Sequence, residues 1–389
     1  MKKSNNIIFL IIIILISIIG FSTLIRNQKE ISCEENRSLN KIPQLTIKSF
    51  LEGNYQKNLE SSLSDQFLGS GTIKKYYPRI FDISTMTNMK KRLCHYGYFS
   101  IDTERAVYNC GDYIVFSPIS MDLNQKNKVL ESYKQLGNKV DTYYYYINTS
   151  RDINFKTNKK STNVKQLMKR IMNNKYTYSE LNISNYNDYK KYFYKNDHHW
   201  NYRGSYQGYL DILEMLNIDN PIKPIKKEVF DNYYYYGSHS QATRNYEYLD
   251  EFTVYKFKLP YHNTLINSKP GVYGKQNSFF QHKIPYSKNS GLYGEFYGWD
   301  YGEVMFNYHQ HEKDNLLIIS NSYSNAINEL IASHFYKTYV IDLRNYKNDM
   351  KKEFNIVKYI NDHSIDKVLI IMDYSYITSN EMKLKWGKK

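Results

Sequence analysis

A chain of 389 residues, 41% of them apolar and with a formal charge of +15, is long enough to bury one large or two small cores. The excess of lysine and arginine favours anionic surroundings such as wall polymers, acidic polysaccharide or lipid headgroups. Zinc-finger spacing, a glycine-rich phosphate loop and a basic recognition helix are all missing and the lysines are scattered, so nucleic acid is not expected as a partner.

The chain opens with Lys2 and Lys3 and a nearly unbroken apolar run from Ile7 to Ile25, the length of a bilayer-spanning helix. It passes directly into Arg26-Asn27-Gln28-Lys29 with no small-residue cleavage site, so an uncleaved signal anchor is expected, single-pass, with the body extracytoplasmic. Beyond it the polar stretch to about Ile73 carries short helical pieces at Ile47 to Leu51 and Gln56 to Phe67. Leu59 to Phe67 is placed to pack back on the body as an amphipathic helix. Cys33, Cys94 and Cys110 are sparse and odd in number. A Cys94–Cys110 bridge is open outside the cell, and no metal site follows from them.

Tyr113 to Phe116, a helical pattern from Met121 to Leu136 and the strand-like Val140 to Ile147 read as a strand-helix-strand unit. Asn201 to Leu216 has the apolar spacing of a helix, with Tyr206, Tyr209, Leu210, Leu213 and Leu216 facing a core. The tyrosine-rich stretch 231–290, with alternation at Phe252 to Phe257, reads as an antiparallel excursion. Its tyrosines belong to 42 in the chain, against 3 tryptophans and 8 prolines, a bias typical of AT-rich coding, although exposed tyrosine also stacks on sugar rings. Near the C-terminus strands and helices alternate: Leu316 to Ser320, Ala326 to Phe335, Thr338 to Leu343, Glu353 to Asn361 and Lys367 to Met372. That alternation predicts an α/β fold with a mostly parallel sheet covered by helices.

Two places carry chemistry. In Asp197-His198-His199-Trp200, read as an extended segment, Asp197 and His199 share a face and His198 points away. A carboxylate on one imidazole nitrogen frees the other to take a proton from a serine. Ser322, in Ser320-Asn321-Ser322-Tyr323-Ser324, follows an apolar strand and opens a helix, where parallel sheets place ligands. There the amide of Ser322 or Tyr323 is positioned to hold an oxyanion. The plainer readings are a helix cap for Ser322 or Asp197 and a structural histidine for His199. A metal held by Asp197, His198 and His199 is a rival reading; consecutive histidines on an extended segment diverge, so metal is not expected.

Asp197 to Trp200, with Glu35-Asn36-Arg37-Ser38-Leu39, Ser64-Asp65-Gln66-Phe67, Tyr236-Gly237-Ser238, Leu317 to Tyr323 and Ile341-Asp342-Leu343-Arg344 in this order, resembles the DHHW family of Gram-positive surface proteins. These are relatives of the alginate O-acetylation proteins, whose domain is SGNH-hydrolase-like with helices on both sheet faces. The resemblance divides the chain into a cytoplasmic tip and transmembrane anchor (1–25), a stalk (26–75) and a catalytic domain (76–389). It implies an O-acyltransferase, most simply an O-acetyltransferase, acting on a cell-surface polysaccharide. Ser322 is then nucleophile, His199 general acid/base and Asp197 orienter. A carbohydrate esterase with the same triad and a catalytically silent polysaccharide-binding protein are the alternatives.

The order Asp, His, Ser is the rearranged order of the alginate-type relatives. Where those relatives often have Gly-Asp-Ser or Gly-Thr-Ser, this chain has Ser320-Asn321-Ser322, so a tighter turn is expected. The resemblance also implies substrate contacts from Arg344 and Tyr374, with Gly237 and Ser238 shaping the other wall and offering an oxyanion N–H; Arg244 is a weaker candidate. Because acetyl-coenzyme A stays in the cytoplasm, a multipass membrane O-acyltransferase is the implied acetyl donor, and no cofactor is expected in this chain.

Overall fold

The computed structural model describes residues 2–28, 31–32, 37–69, 107–119, 127–172, 176–243, 248–274 and 292–386. Its centre is a mixed sheet. Strands β1 (Val107–Cys110) and β2 (Tyr113–Phe116) form a separate antiparallel ribbon, as do β5 (Lys226–Tyr235) and β6 (Asp250–Lys256). The main sheet takes β3 (Asp141–Ile147), β4 (Thr177–Leu181), β7 (Asn263–Ile266), β8 (Lys269–Pro270), β9 (Glu303–Asn307), β10 (Leu316–Ile319), β11 (Lys337–Ile341) and β12 (Lys367–Met372). These eight strands lie in the order β8-β7-β9-β11-β10-β12-β3-β4. The run from β11 to β4 is parallel, and β9, β7 and β8 extend it antiparallel.

Parallel strands covered on both faces read as continuous apolar runs, and Leu316-Leu317-Ile318-Ile319 is fully buried. Alternate side chains serve different cores. Leu316 and Ile318 join Tyr145, Ile147, Leu369 and Ile371 on one face, while Leu317 and Ile319 join Tyr144, Tyr146, Ile370 and Ile341 on the other. Each such side chain contributes about 1.5–3 kcal/mol by burial. The first face is covered by helices Tyr186–Tyr192 and Tyr202–Met215, whose buried Tyr189, Tyr209, Ile212 and Leu213 pack there. The second is covered by Lys128–Tyr133, Val164–Ile171 and Ile356–Asp362. A third apolar cluster joins the β5–β6 ribbon to the helix Leu292–Tyr297 through Phe230, Phe252, Phe296 and Tyr297.

Tyr113 to Phe116 does not enter the main sheet. It pairs with Val107–Cys110 across a turn at Gly111, and a short apolar run has the same pattern in either setting. The helix after it spans Lys128–Tyr133, with Met121 to Lys126 outside the described residues. The helix expected from Ala326 to Phe335 is broken into a 3-10 turn, Ser322–Ala326, and a short α-helix, Asn328–Ala332. In the excursion, β5 and β6 stay apart while β7 joins the main sheet against β9.

Residues Lys2–Ile25 form one helix with Ile7, Phe9, Leu10, Ile16 and Phe21 exposed. Among the described residues, no helix is long and apolar enough to cross a membrane. The helix Asn54–Gln66 meets the end of this first helix: Gln66 O accepts from Arg26, and the Leu68 amide donates to Thr23 Oγ1 at 3.1 Å. Cys110 is disulfide-bonded; Cys33 and Cys94 lie outside the described residues.

Candidate active site

The segment from Phe193 to Trp200 is a tight loop closed by an isolated bridge between those two residues. It bends at every position from Lys195 to His199. Polar partners hold the bends. The amides of Lys195 and Asn196 donate to Asp250 Oδ2 at 2.7 and 3.2 Å. The Asn196 side chain donates to the carbonyls of Tyr235 and Tyr248 and accepts from the Gly237 amide at 2.8 Å. The loop is not extended, so the two-residue alternation does not apply and His198 does not point away. Its ring lies 3.8 Å from that of His199, and its Nδ1 lies 2.6 Å from Ser238 Oγ.

Asp197 and His199 are 3% and 8% exposed. Asp197 Oδ1 accepts from the His199 backbone N–H at 2.8 Å and lies 2.6 Å from His199 Nδ1; Oδ2 accepts from the Ser238 amide at 2.6 Å. Burial alone would raise this carboxyl, but His199, His198 and the converging donors hold it well below the usual carboxylate range. With Nδ1–H donated to Asp197, the tautomer that network implies, His199 Nε2 is left as acceptor, and Ser322 Oγ lies 2.8 Å from it. Tyr293 stacks on the His199 ring at 4.0 Å and 12°, and its hydroxyl donates to the Ser322 and Tyr323 carbonyls at 3.3 Å. Burial, reinforced by the neighbouring His199, pushes the pKa of His198 well down.

Ser322 begins the 3-10 turn directly after β10, whose end lies beside the ends of β11 and β12. Asn321 caps that turn through the Tyr323 amide and donates to Asp373 Oδ1 at 2.8 Å, tying the Ser322 turn to the end of β12. No residue of Ser320 to Ser324 has a positive φ, so the turn needs no glycine at Ser320, whose hydroxyl pairs with Ser324 Oγ at 2.5 Å. The Ser322 amide has no protein acceptor among the described residues, which leaves it available to an oxyanion.

A cleft of about 420 Å³ opens on this line, walled by Tyr235, Ser238, Tyr293, Trp299, Asp300 and Arg344. Arg344 is already paired, Nε with both Asp342 oxygens at 2.9 and 3.1 Å and Nη2 with Asp342 and Asp300. Gly237 and Ser238 do not supply an oxyanion donor: their amides are spent on Asn196 and Asp197. Gly237 is required by close approach, because a Cβ there would stand 2.1 Å from Asp197 Cβ. Tyr374 does not line the cleft. Asp373 caps the helix Tyr374–Thr378, and the Tyr374 ring faces Arg151 at 5.8 Å. Arg244 lies outside the described residues.

Ligand atoms of Asp197, His198 and His199 lie within 4.8 Å of one another, so the bent loop brings together a group able to hold a metal ion, against the expected divergence. The 2.6 Å approach of Asp197 to His199 is a hydrogen bond, and an ion between them must displace its proton. Tyr293, Trp299, Asp300 and Asn325 escaped the sequence reading. A cue was present in Leu292, Tyr293, Phe296 and Tyr297, whose spacing is that of a short aromatic helix.

Fold and site together define a mixed α/β protein with a mostly parallel central sheet. Ser322, His199 and Asp197 stand in hydrogen-bonded series at the ends of its parallel strands. Among solved structures, Bacillus cereus PatB1 with a sulfonyl adduct is similar at TM-score 0.54 and 16% identity, over 72% of this chain and 98% of that one. A second PatB1 structure is similar at TM-score 0.53 and 17% identity, over 72% and 99%. A DHHW family protein from Eubacterium siraeum is similar at TM-score 0.50 and 19% identity, over 71% and 92%. At these identities the likeness is one of fold, and at that level it agrees with the resemblance carried by Asp197 to Trp200. A match to Pseudomonas aeruginosa AlgX, at TM-score 0.31 and 8% identity, carries no argument. No family model and no curated protein matches the chain.

Proposed function

We propose that this protein is a membrane-anchored, extracytoplasmic O-acyltransferase, acting as an O-acetyltransferase on hydroxyls of a cell-surface polysaccharide. The observation that carries the reading is the line Asp197 Oδ1, His199 Nδ1, His199 Nε2 and Ser322 Oγ, with contacts of 2.6 and 2.8 Å. His199 Nε2 takes the Ser322 proton as Oγ attacks the donor's carbonyl carbon, and the ionised Asp197 stabilises the imidazolium. The Ser322 amide holds the oxyanion. His199 returns the proton to the departing oxygen of the donor, leaving acetyl-Ser322. A sugar hydroxyl then gives its proton to His199 and attacks the acyl carbon, and Ser322 Oγ departs with that proton.

The acetyl donor in the cell is a multipass membrane acyltransferase, and the exposed apolar helix at Lys2–Ile25 holds the body beside it. Hydrolysis by the same residues is the competing outcome, decided by how well the sugar excludes water from acetyl-Ser322. The test is p-nitrophenyl acetate with and without an added oligosaccharide, followed by nitrophenol release and product mass. Acetylated oligosaccharide is the expected product. Acetate alone across a range of oligosaccharides assigns an esterase.

A further inference from the structure

Trp299 is 44% exposed on the wall of the cleft, while the other two tryptophans lie elsewhere, Trp200 wholly buried and Trp386 half-buried. An indole face open to a cleft is available to stack against a flat ligand face. The loop that carries it is held on both sides. Asn325, in the nucleophile's own turn, donates from Nδ2 to the Gly298 carbonyl at 3.1 Å and to Asp300 Oδ1 at 3.0 Å. Gly294 lies flat against the ring, where a Cβ would come within 2.8 Å of it. The indole is therefore a rigid plate, fixed relative to Ser322 and open toward the cleft.

Charge decides what such a plate receives. Beside it, Arg344 is matched by two carboxylates, Asp342 and Asp300, and all three are fixed by hydrogen bonds at 3.1 Å or less. Among the described lining residues, one guanidinium against two carboxylates leaves no free positive charge for an acidic sugar. It leaves half-exposed Asp300 oxygens and Arg344 N–H groups, which are partners for hydroxyls.

We infer that Trp299 is the stacking platform of an acceptor subsite, with Asp300 and Arg344 as its polar edge, and that the subsite takes an uncharged pyranose residue. The chain's surplus positive charge then acts on the surface around the cleft and not at the reacting sugar. The inference rests on the acyl-transfer reading for its consequence in catalysis, but the binding is measurable without catalysis.

The test uses Ser322→Ala protein, which has no nucleophile, titrated with an N-acetylglucosamine tetrasaccharide, a glucose tetrasaccharide and a tetragalacturonate. Binding is read by calorimetry and tryptophan fluorescence. An uncharged tetrasaccharide should quench or blue-shift the emission saturably and bind at least about tenfold more tightly than the galacturonate. Adding Trp299→Ala should weaken binding about tenfold, and Trp299→Phe should lose the optical signal with a smaller loss of affinity. Tighter binding of the galacturonate, no binding of either uncharged sugar, or unchanged affinity in Trp299→Ala would each overturn the inference. In the parent enzyme, Trp299→Ala should raise KM for the acceptor about tenfold with a smaller change in kcat. Failure of acylation itself counts against Ser322 and not against the subsite.

Discussion

Asp250 shows how one half-buried carboxyl supports the site without touching its chemistry. It accepts the amides of Lys195 and Asn196, immediately ahead of Asp197. Desolvation nonetheless pushes it up to about 7, against the pull of those donors. In the unfolded chain the same carboxyl titrates near 3.9, so between about pH 4 and 7 the folded state keeps a proton that the unfolded state has released. This group's effect on stability therefore declines as pH rises through that window and is level above it. Asp197 runs the other way: its stabilising effect is present above about pH 4 and lost on acidification through its depressed folded value. Asp250→Asn keeps an oxygen for both amides and removes the titration. Its urea midpoint should change less between about pH 5 and 8 than that of the parent, and an unchanged difference would assign the slope to another group.

Asp197 and His199 were legible in the sequence because only His198 separates them, and two neighbours in one short loop need little of the fold to meet. Tyr293 and Trp299 were not, since tertiary packing alone brings the helix Leu292–Tyr297 and the Gly298 to Asp300 loop against the histidine. His198 departs from the two-residue alternation for a local reason: Asp250 and Asn196 bend the loop, and neither contact is visible in a pattern of alternating residues.

The strands best read from sequence are those buried on both faces, such as Leu316–Ile319 and Lys367–Met372, where composition and position agree. Thr177–Leu181 escaped notice because it is the outermost strand beside β3, half-exposed and polar. The helix Leu343–Met350 was also missed. Asp342 starts it by accepting the Arg344 amide, a cap that also fixes the Arg344 side chain at the cleft wall. At Ser320-Asn321-Ser322 the turn runs into a 3-10 helix without any positive φ, and asparagine supplies its cap.

The molecule joins an apolar N-terminal helix to a basic α/β body, and the proposed anchoring makes a simple demand. With the chain intact, flotation with lipid vesicles should carry the protein to the light fractions, and a form beginning at Asn27 should stay in the dense ones. Equal partitioning of the two forms would assign membrane attachment to another part of the chain.

The central claim is that Ser322, drawn to His199 and oriented by Asp197, forms a covalent acyl-enzyme. Its most direct test is intact mass and peptide mapping after brief exposure to p-nitrophenyl acetate, for the parent beside Ser322→Ala and His199→Ala. The account predicts one acetyl group on the Ser322 peptide of the parent, none there in Ser322→Ala, and labelling slowed by about 10³-fold or more in His199→Ala. Identical behaviour of all three proteins, or an acetyl group mapped to another residue of the parent, would contradict it and favour a binding protein built on the same fold.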